Sequence, residues 1–85
     1  MMKKVEFHVC CMWDDEASLW YVHESNVPGL SAEAPTVEAM EALLDERIPE
    51  LLRLNRPELF KTEAALEVPF DLVARRHRDL KLAHA

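Results

Sequence analysis

The sequence predicts an α+β domain in which one amphipathic helix packs on one face of a mostly antiparallel sheet, in the order β-β-β-α-β. Polar and apolar residues alternate early in the chain and again near its end, as in half-buried strands. Between these regions, apolar residues recur at three- and four-residue spacing, as on one side of a helix. The 85 residues suffice for one domain, which we take to be residues 1–85.

The first two strands are predicted to form a hairpin. Residues 3–13 alternate, and residues 19–24 are rich in β-formers, with a polar turn between them. We place Trp20 and Val22 on the core side, although a shift of register by one residue would exchange the faces. The core side of the first strand comprises Val5, Phe7, Val9, Cys11 and Trp13.

The only glycine, Gly29, predicts a turn. Pro28 has no amide hydrogen for a sheet, and Gly29 suits the positive φ at the third position of a type II turn. A short third strand is predicted at residues 30–34.

A helix is predicted at residues 36–54, with Thr36 as its N-cap. Pro49 should kink the helix without ending it, and Asn55 could form a left-handed cap. The apolar stripe comprises Val37, Met40, Leu43, Leu44, Ile48, Leu51 and Leu52.

After a connection at residues 56–63, the last strand is predicted at residues 66–75, where Pro69 confines it to a sheet edge. One helix covers only one face of such a sheet. The other face would expose apolar side chains, which usually mark an association surface, so we expect a homodimer or larger assembly there. The predicted interface residues are His8, Cys10, Met12, Leu19, Tyr21, His23 and Val73.

Composition narrows the class of protein. With 49% hydrophobic and 31% charged residues, the chain is too apolar for disorder and too polar for a membrane protein. No apolar run approaches ~20 residues, and no secretory signal is recognisable. Cys10 and Cys11 are adjacent and too close to bridge each other. These features predict a cytoplasmic protein.

Charge is divided unevenly along the chain. The last eleven residues carry +3, which leaves −9 for residues 1–74 within the total of −6. An acidic body argues against general nucleic-acid binding and favours a basic protein partner or simple solubility. Arg75, Arg76 and Arg78 could contact nucleic acid, but we favour a solvated strand end whose charges deter edge pairing.

No catalytic, cofactor or metal residue is predicted. His8, Cys10 and His23 could share a strand surface, yet their spacing matches no recurring metal motif. Cys10 or Cys11 could act as a nucleophile with His23, but no local signature supports this. We interpret these residues as ordinary members of a mixed strand.

A metal-dependent nuclease is the alternative, because this order of elements also begins the ribonuclease H architecture. Its acids would be Glu6, Glu38 or Glu41, and Asp71. We expect Glu6 and Asp71 to point away from the helix, so that the three could not easily surround a magnesium ion.

The order of motifs resembles the HicB antitoxin superfamily. It includes LWYV at residues 19–22, VPGL at residues 27–30, and Thr36 followed by Glu38 and Leu43 at the start of a helix. IPELL at residues 48–52, followed by Asn55, and the late Pro69-Phe70 strand resemble a group of short bacterial HicB-like proteins. That group is catalogued only as a domain of unknown function. The resemblance extends from Val5 to about Ala74.

The resemblance implies a single HicB-like domain with a partial ribonuclease H-like fold and no enzymatic activity. It implies binding and neutralisation of a HicA-type toxin, a small basic mRNA-cleaving protein with a double-stranded-RNA-binding-like fold. Full antitoxins of this type add a carboxy-terminal DNA-binding segment. Nothing of that length follows Phe70, so DNA repression is not expected, and Pro35 replaces the polar residue usual before the capping threonine.

Overall fold

A computed structural model of the chain describes residues 6–60 and 68–83. The predicted order of elements is confirmed. The elements are β1 (Phe7–Asp14), β2 (Leu19–Ser25), β3 (Glu33–Ala34), α1 (Val37–Asn55), a 3-10 turn (Pro57–Phe60) and β4 (Phe70–Arg75). The predicted start of the first strand at residues 3–5 and residues 66–67 of the last lie outside the described residues.

The described strands form one sheet in the order β3-β2-β1-β4. The β1–β2 and β2–β3 pairs are antiparallel, whereas β1 and β4 are parallel. The sheet is therefore mostly antiparallel, as predicted. Pro69 immediately precedes edge strand β4, and its carbonyl accepts a hydrogen bond from the Phe7 amide at 3.2 Å.

The core lies between α1 and one face of the sheet, as the two apolar patterns predict. Each fully buried aliphatic side chain of this kind contributes about 1.5–3 kcal/mol relative to exposure. Trp20 and Val22 pack against the core from β2, which confirms their assigned side. The buried core side chains are Phe7, Val9, Cys11, Val27, Ala32, Ala34, Met40, Leu44, Ile48 and Leu52.

A β-bulge interrupts the hairpin. Cys10 lies opposite Glu24, but Cys11 lies opposite Val22, so His23 is an extra residue in β2. The bulge lets Val22 remain on the core side while Glu24 lies beside Cys10 on the other side. The sequence prediction of a regular hairpin missed it.

The turn at Gly29 is confirmed. The Leu30 amide donates to the Val27 carbonyl at 3.3 Å, and Gly29 has a φ of 75°. The third strand is shorter than predicted, spanning Glu33–Ala34 instead of residues 30–34.

The helix begins as predicted, because the Thr36 hydroxyl accepts a hydrogen bond from the Ala39 amide at 3.0 Å. It continues through the exposed Pro49, which has no amide hydrogen to donate to the Asp45 carbonyl. The left-handed cap at Asn55 was wrong. Asn55 is the last helical residue and its side-chain amide donates to the Leu51 carbonyl, while the Arg56 amide, at a φ of −134°, donates to Leu52. These two donors reach the carbonyls of Leu51 and Leu52 without a left-handed residue.

No helix in residues 6–60 and 68–83 is long and apolar enough to cross a membrane.

The Gly29 turn predicts a measurable effect on stability. An alanine Cβ at this position would lie 3.6 Å from Leu51 Cδ2, an ordinary contact, so the penalty is conformational. Because a left-handed backbone costs most L-residues about 1–2 kcal/mol, Gly29→Ala should lower the free energy of unfolding by about that amount. Urea denaturation measures the change. Gly29→Asn is the matched control and should lose less, since asparagine tolerates this conformation; equal losses would contradict the explanation.

Candidate interaction surface

The reverse face of the sheet is the face turned away from α1. Strand pairing arranges its side chains in four rows across the sheet, because directly paired residues share a face. The first row is Glu33, Tyr21, Met12 and Arg75; the second is Glu24, Cys10 and Val73; the third is His8 and Asp71; the fourth is Leu19 and Asp14. The prediction that one face would be left open is consistent with this arrangement.

None of the seven predicted interface residues is buried by another described part of the chain. Cys10, Met12, Leu19 and Tyr21 are half-buried, and Val73 is 48% exposed. The two histidines are exposed. The His23 ring lies 6.2 Å from the Tyr21 ring, so the bulge leaves it beside this face.

Carboxylates surround the apolar centre of the reverse face. Glu33, Glu24 and Asp71 are exposed and each lies at an end of one of the first three rows, while the exposed Arg75 lies at the other end of the first row. His8 Nε2 lies 3.5 Å from Glu24 Oε1, an exposed contact of little energetic weight. Glu24 and Glu33 were not predicted to belong to this surface, because their place on it depends on how the strands pair. An apolar centre with a charged rim is the usual anatomy of a protein interface.

The three predicted basic residues do not share one surface. Arg75 pairs with Met12 on the reverse face. Arg76 lies on the other side, with its guanidinium 4.6 Å from the centre of the Trp13 ring and 3.9 Å from Asp15. Arg78 is exposed in the segment beyond β4.

The end of the hairpin is an aromatic and charged cluster. Trp13 and Trp20 make an edge-to-face contact with ring centres 5.5 Å apart. Trp13 Nε1 donates to Asp15 Oδ1 at 2.7 Å, and the same carboxylate faces Arg76. The indole thus links the hairpin to the chain that leaves β4.

The metal and nucleophile candidates are not assembled into a site. In the described ranges, no group of three or more His, Cys, Asp or Glu side chains could hold a metal ion. Burial, together with the neighbouring Cys10, raises the pKa of the Cys11 thiol, which lowers its reactive thiolate fraction.

Two of the acids proposed for a nuclease line the same surface depression. Glu41 and Asp71, together with Asp45, line a shallow depression along the outer edge of β4. The depression is otherwise lined by residues of that strand, and neither Glu6 nor Glu38 reaches it. The sequence could not show that Asp45 belongs with them, because this requires knowing where α1 crosses the sheet.

The fold and the open sheet face define a small α+β domain with a one-sided sheet. The family model described as domain of unknown function DUF1902 matches residues 6–83, and the chain belongs to this family. A similar solved structure is a hypothetical protein from the extremely thermophilic bacterium Thermus thermophilus. It is 37% identical, covers 92% of this chain and 100% of its own, and superposes with a TM-score of 0.57. No curated protein matches the chain.

The environments of the two cysteines predict different reactivities. Cys10 is half-buried on the reverse face, whereas Cys11 is buried in the core with a raised pKa. In the native protein at pH 8, a thiol reagent should therefore modify one cysteine quickly and the other slowly. Stopped-flow or mass-spectrometric labelling measures both phases. Cys10→Ser should remove the fast phase and Cys11→Ala should retain it; the opposite assignment would contradict the burial argument.

Proposed function

We propose that this chain is a non-enzymatic protein-interaction module of the antitoxin type, which binds and neutralises a small basic mRNA-cleaving toxin of the HicA class. The observation that carries the proposal is the reverse face: an apolar centre around Met12 and Tyr21, open to solvent within the described chain and rimmed by carboxylates. The HicB-like order of motifs supplies the identity of the partner.

Charge supports a basic partner. Residues 1–74 carry a net charge of −9, and the reverse face presents Glu24, Glu33 and Asp71 around its centre. Such a field accelerates the encounter with a cation-rich protein and disfavours nucleic acid. Aromatic side chains and methionine are enriched in interface cores, so Tyr21 and Met12 are the expected anchors.

A second candidate is a divergent metal-dependent nuclease, favoured by the presence of Glu41 and Asp71 in the lining of the β4 depression. Paired carboxylates can hold a divalent ion that activates water. This function requires magnesium-dependent RNA cleavage that is lost in Asp71→Asn. The nuclease function is ruled out if the unmodified chain does not cleave RNA. It is also ruled out if the variant cleaves RNA at the original rate.

Co-expression tests the antitoxin function. A neighbouring reading frame that encodes a short basic protein is the toxin candidate; it is induced in cells with or without this chain, and the chain should restore growth. Tyr21→Glu should abolish the rescue and weaken binding of the purified proteins at least tenfold, because it places a charge at the centre of the apolar patch.

Leu54→Glu is the matched control. Leu54 is 77% exposed on α1, so the same charge is added away from the reverse face, and rescue should persist. Circular dichroism of both variants confirms that they fold. Rescue by Tyr21→Glu equal to that of the unmodified chain would overturn the assignment of the surface, and failure of the unmodified chain to rescue would overturn the function.

Self-association through the reverse face remains a prediction. A second copy bound there would compete with a toxin for the same side chains. Sedimentation of the Tyr21→Glu variant tests for a homodimer contact on this face. If the variant no longer self-associates, the reverse face is the homodimer interface.

A further inference from the structure

The outer edge of β4 is open. β4 pairs with β1 on one side, and no strand in residues 6–60 and 68–83 pairs with the other. Its outward amide and carbonyl groups therefore form an unused template for another strand. Beneath α1, this edge carries Phe70 and Leu72, which are only partly buried.

The chain continues beyond β4 as an extended segment, residues 76–83, which we call the tail. It contains no helix, turn or bend. Leu80 and Leu82 are 77% and 87% exposed, although they are among the most apolar side chains of the protein. Two nearly bare leucines at alternate positions match the period of a strand with one apolar side.

We propose that two copies of this chain dimerise by pairing these segments, with the tail of each copy adding as an antiparallel strand to the outer edge of β4 in the other. In this arrangement Leu72 lies opposite Leu80 of the second copy, and Phe70 lies opposite Leu82 of the second copy. The two-fold axis passes beside Arg76. Because antiparallel partners share a face, both leucines cover the apolar side of β4 beside α1.

Charge complementarity supports the tail of a second copy as the partner of the β4 edge. The depression along β4 is lined by Glu41, Asp45 and Asp71, which form no ion pair with any described residue. The tail carries Arg76, Arg78 and Lys81 against one acid, Asp79. In the proposed register Asp71 lies opposite Lys81 of the second copy, and opposite charges at such positions contribute about 0.2–1 kcal/mol.

Neighbouring registers are less favourable. A shift by one residue places Leu82 opposite Asp71 and moves both leucines to the reverse face. Shifts by two residues place either Arg76 opposite Arg78 or Asp71 opposite Asp79, and each like-charge pair occurs twice by symmetry. The proposed register contains one such pair, Arg76 with its counterpart, and each of these guanidiniums already faces Trp13 and Asp15 of its own copy.

The dimer uses the reverse face only at its β4 margin, where Asp71 lies, and leaves Met12 and Tyr21 uncovered, so it can be tested separately from toxin binding. Sedimentation of the unmodified full chain should show a dimer. The double variant Leu80→Asp/Leu82→Asp should dimerise at least tenfold more weakly, and its fold should be retained because neither leucine belongs to the core. Leu54→Asp alters an equally exposed leucine elsewhere and should remain dimeric.

Two results would overturn the proposal. One is a strict monomer of the unmodified chain at high micromolar concentration; the other is an unchanged dimer in the double variant. Tyr21→Glu should remain dimeric, so its dissociation would place the contact on the reverse face instead.

Cross-linking tests the register. In a Cys10→Ser background, Arg76→Cys places two cysteines opposite each other across the axis, at the ~4.5–5.5 Å typical of strand partners and within the range of a disulfide. His77→Cys, one residue away, places them about 8 Å apart, beyond disulfide reach. Mild oxidation should covalently link the first variant and leave the second unlinked. Preferential linkage of His77→Cys would overturn the register.

Discussion

The contact between α1 and one face of the sheet is the constraint on which the rest of this structure depends. Met40 and Leu44 are almost completely buried against Val9 and Cys11. The 19-residue helix is ~28 Å long, about the length of the eight-residue β1, so one helix is long enough to cover β1, one of the two central strands. Its width of ~10–12 Å spans only two or three strands at their ~4.8 Å spacing. Coverage is therefore incomplete at edge strand β4, whose Phe70 and Leu72 pack against the core but are only partly buried.

A single helix on a four-stranded sheet leaves two surfaces of different chemistry open among the described residues. The reverse face presents side chains of neighbouring strands, which suits recognition of a partner by shape and charge. The outer edge of β4 presents backbone groups, which suit pairing with another strand. Since the first surface lies across the sheet and the second lies along its margin, the proposed toxin partner and the proposed second copy need not exclude each other.

The sequence predicts what depends on local pattern and misses what depends on pairing. Alternation identified the core side of β1 and β2, and the chemistry of Pro28, Gly29 and Thr36 identified the turn and the helix start, because each effect acts within a few residues. The bulge at His23 shifts the alternation by one residue, but only Glu24 and Ser25 follow it in β2, which is too short a stretch to reveal the shift. The grouping of Asp45 with Asp71 requires the crossing position of α1, which arises only from packing.

The parallel direction of β4 explains why the tail is available for pairing. β4 runs beside β1 in the same direction, so the chain leaves the sheet at the hairpin end, where β1 turns away after Asp14. The tail consequently has no neighbouring strand soon after its first residue, because β1 ends at Asp14. The stack of Arg76 on Trp13, with Asp15 beside both, fixes the direction in which the tail departs. A segment already directed along the line of its strand loses less conformational freedom on pairing, and this lowers the cost of association.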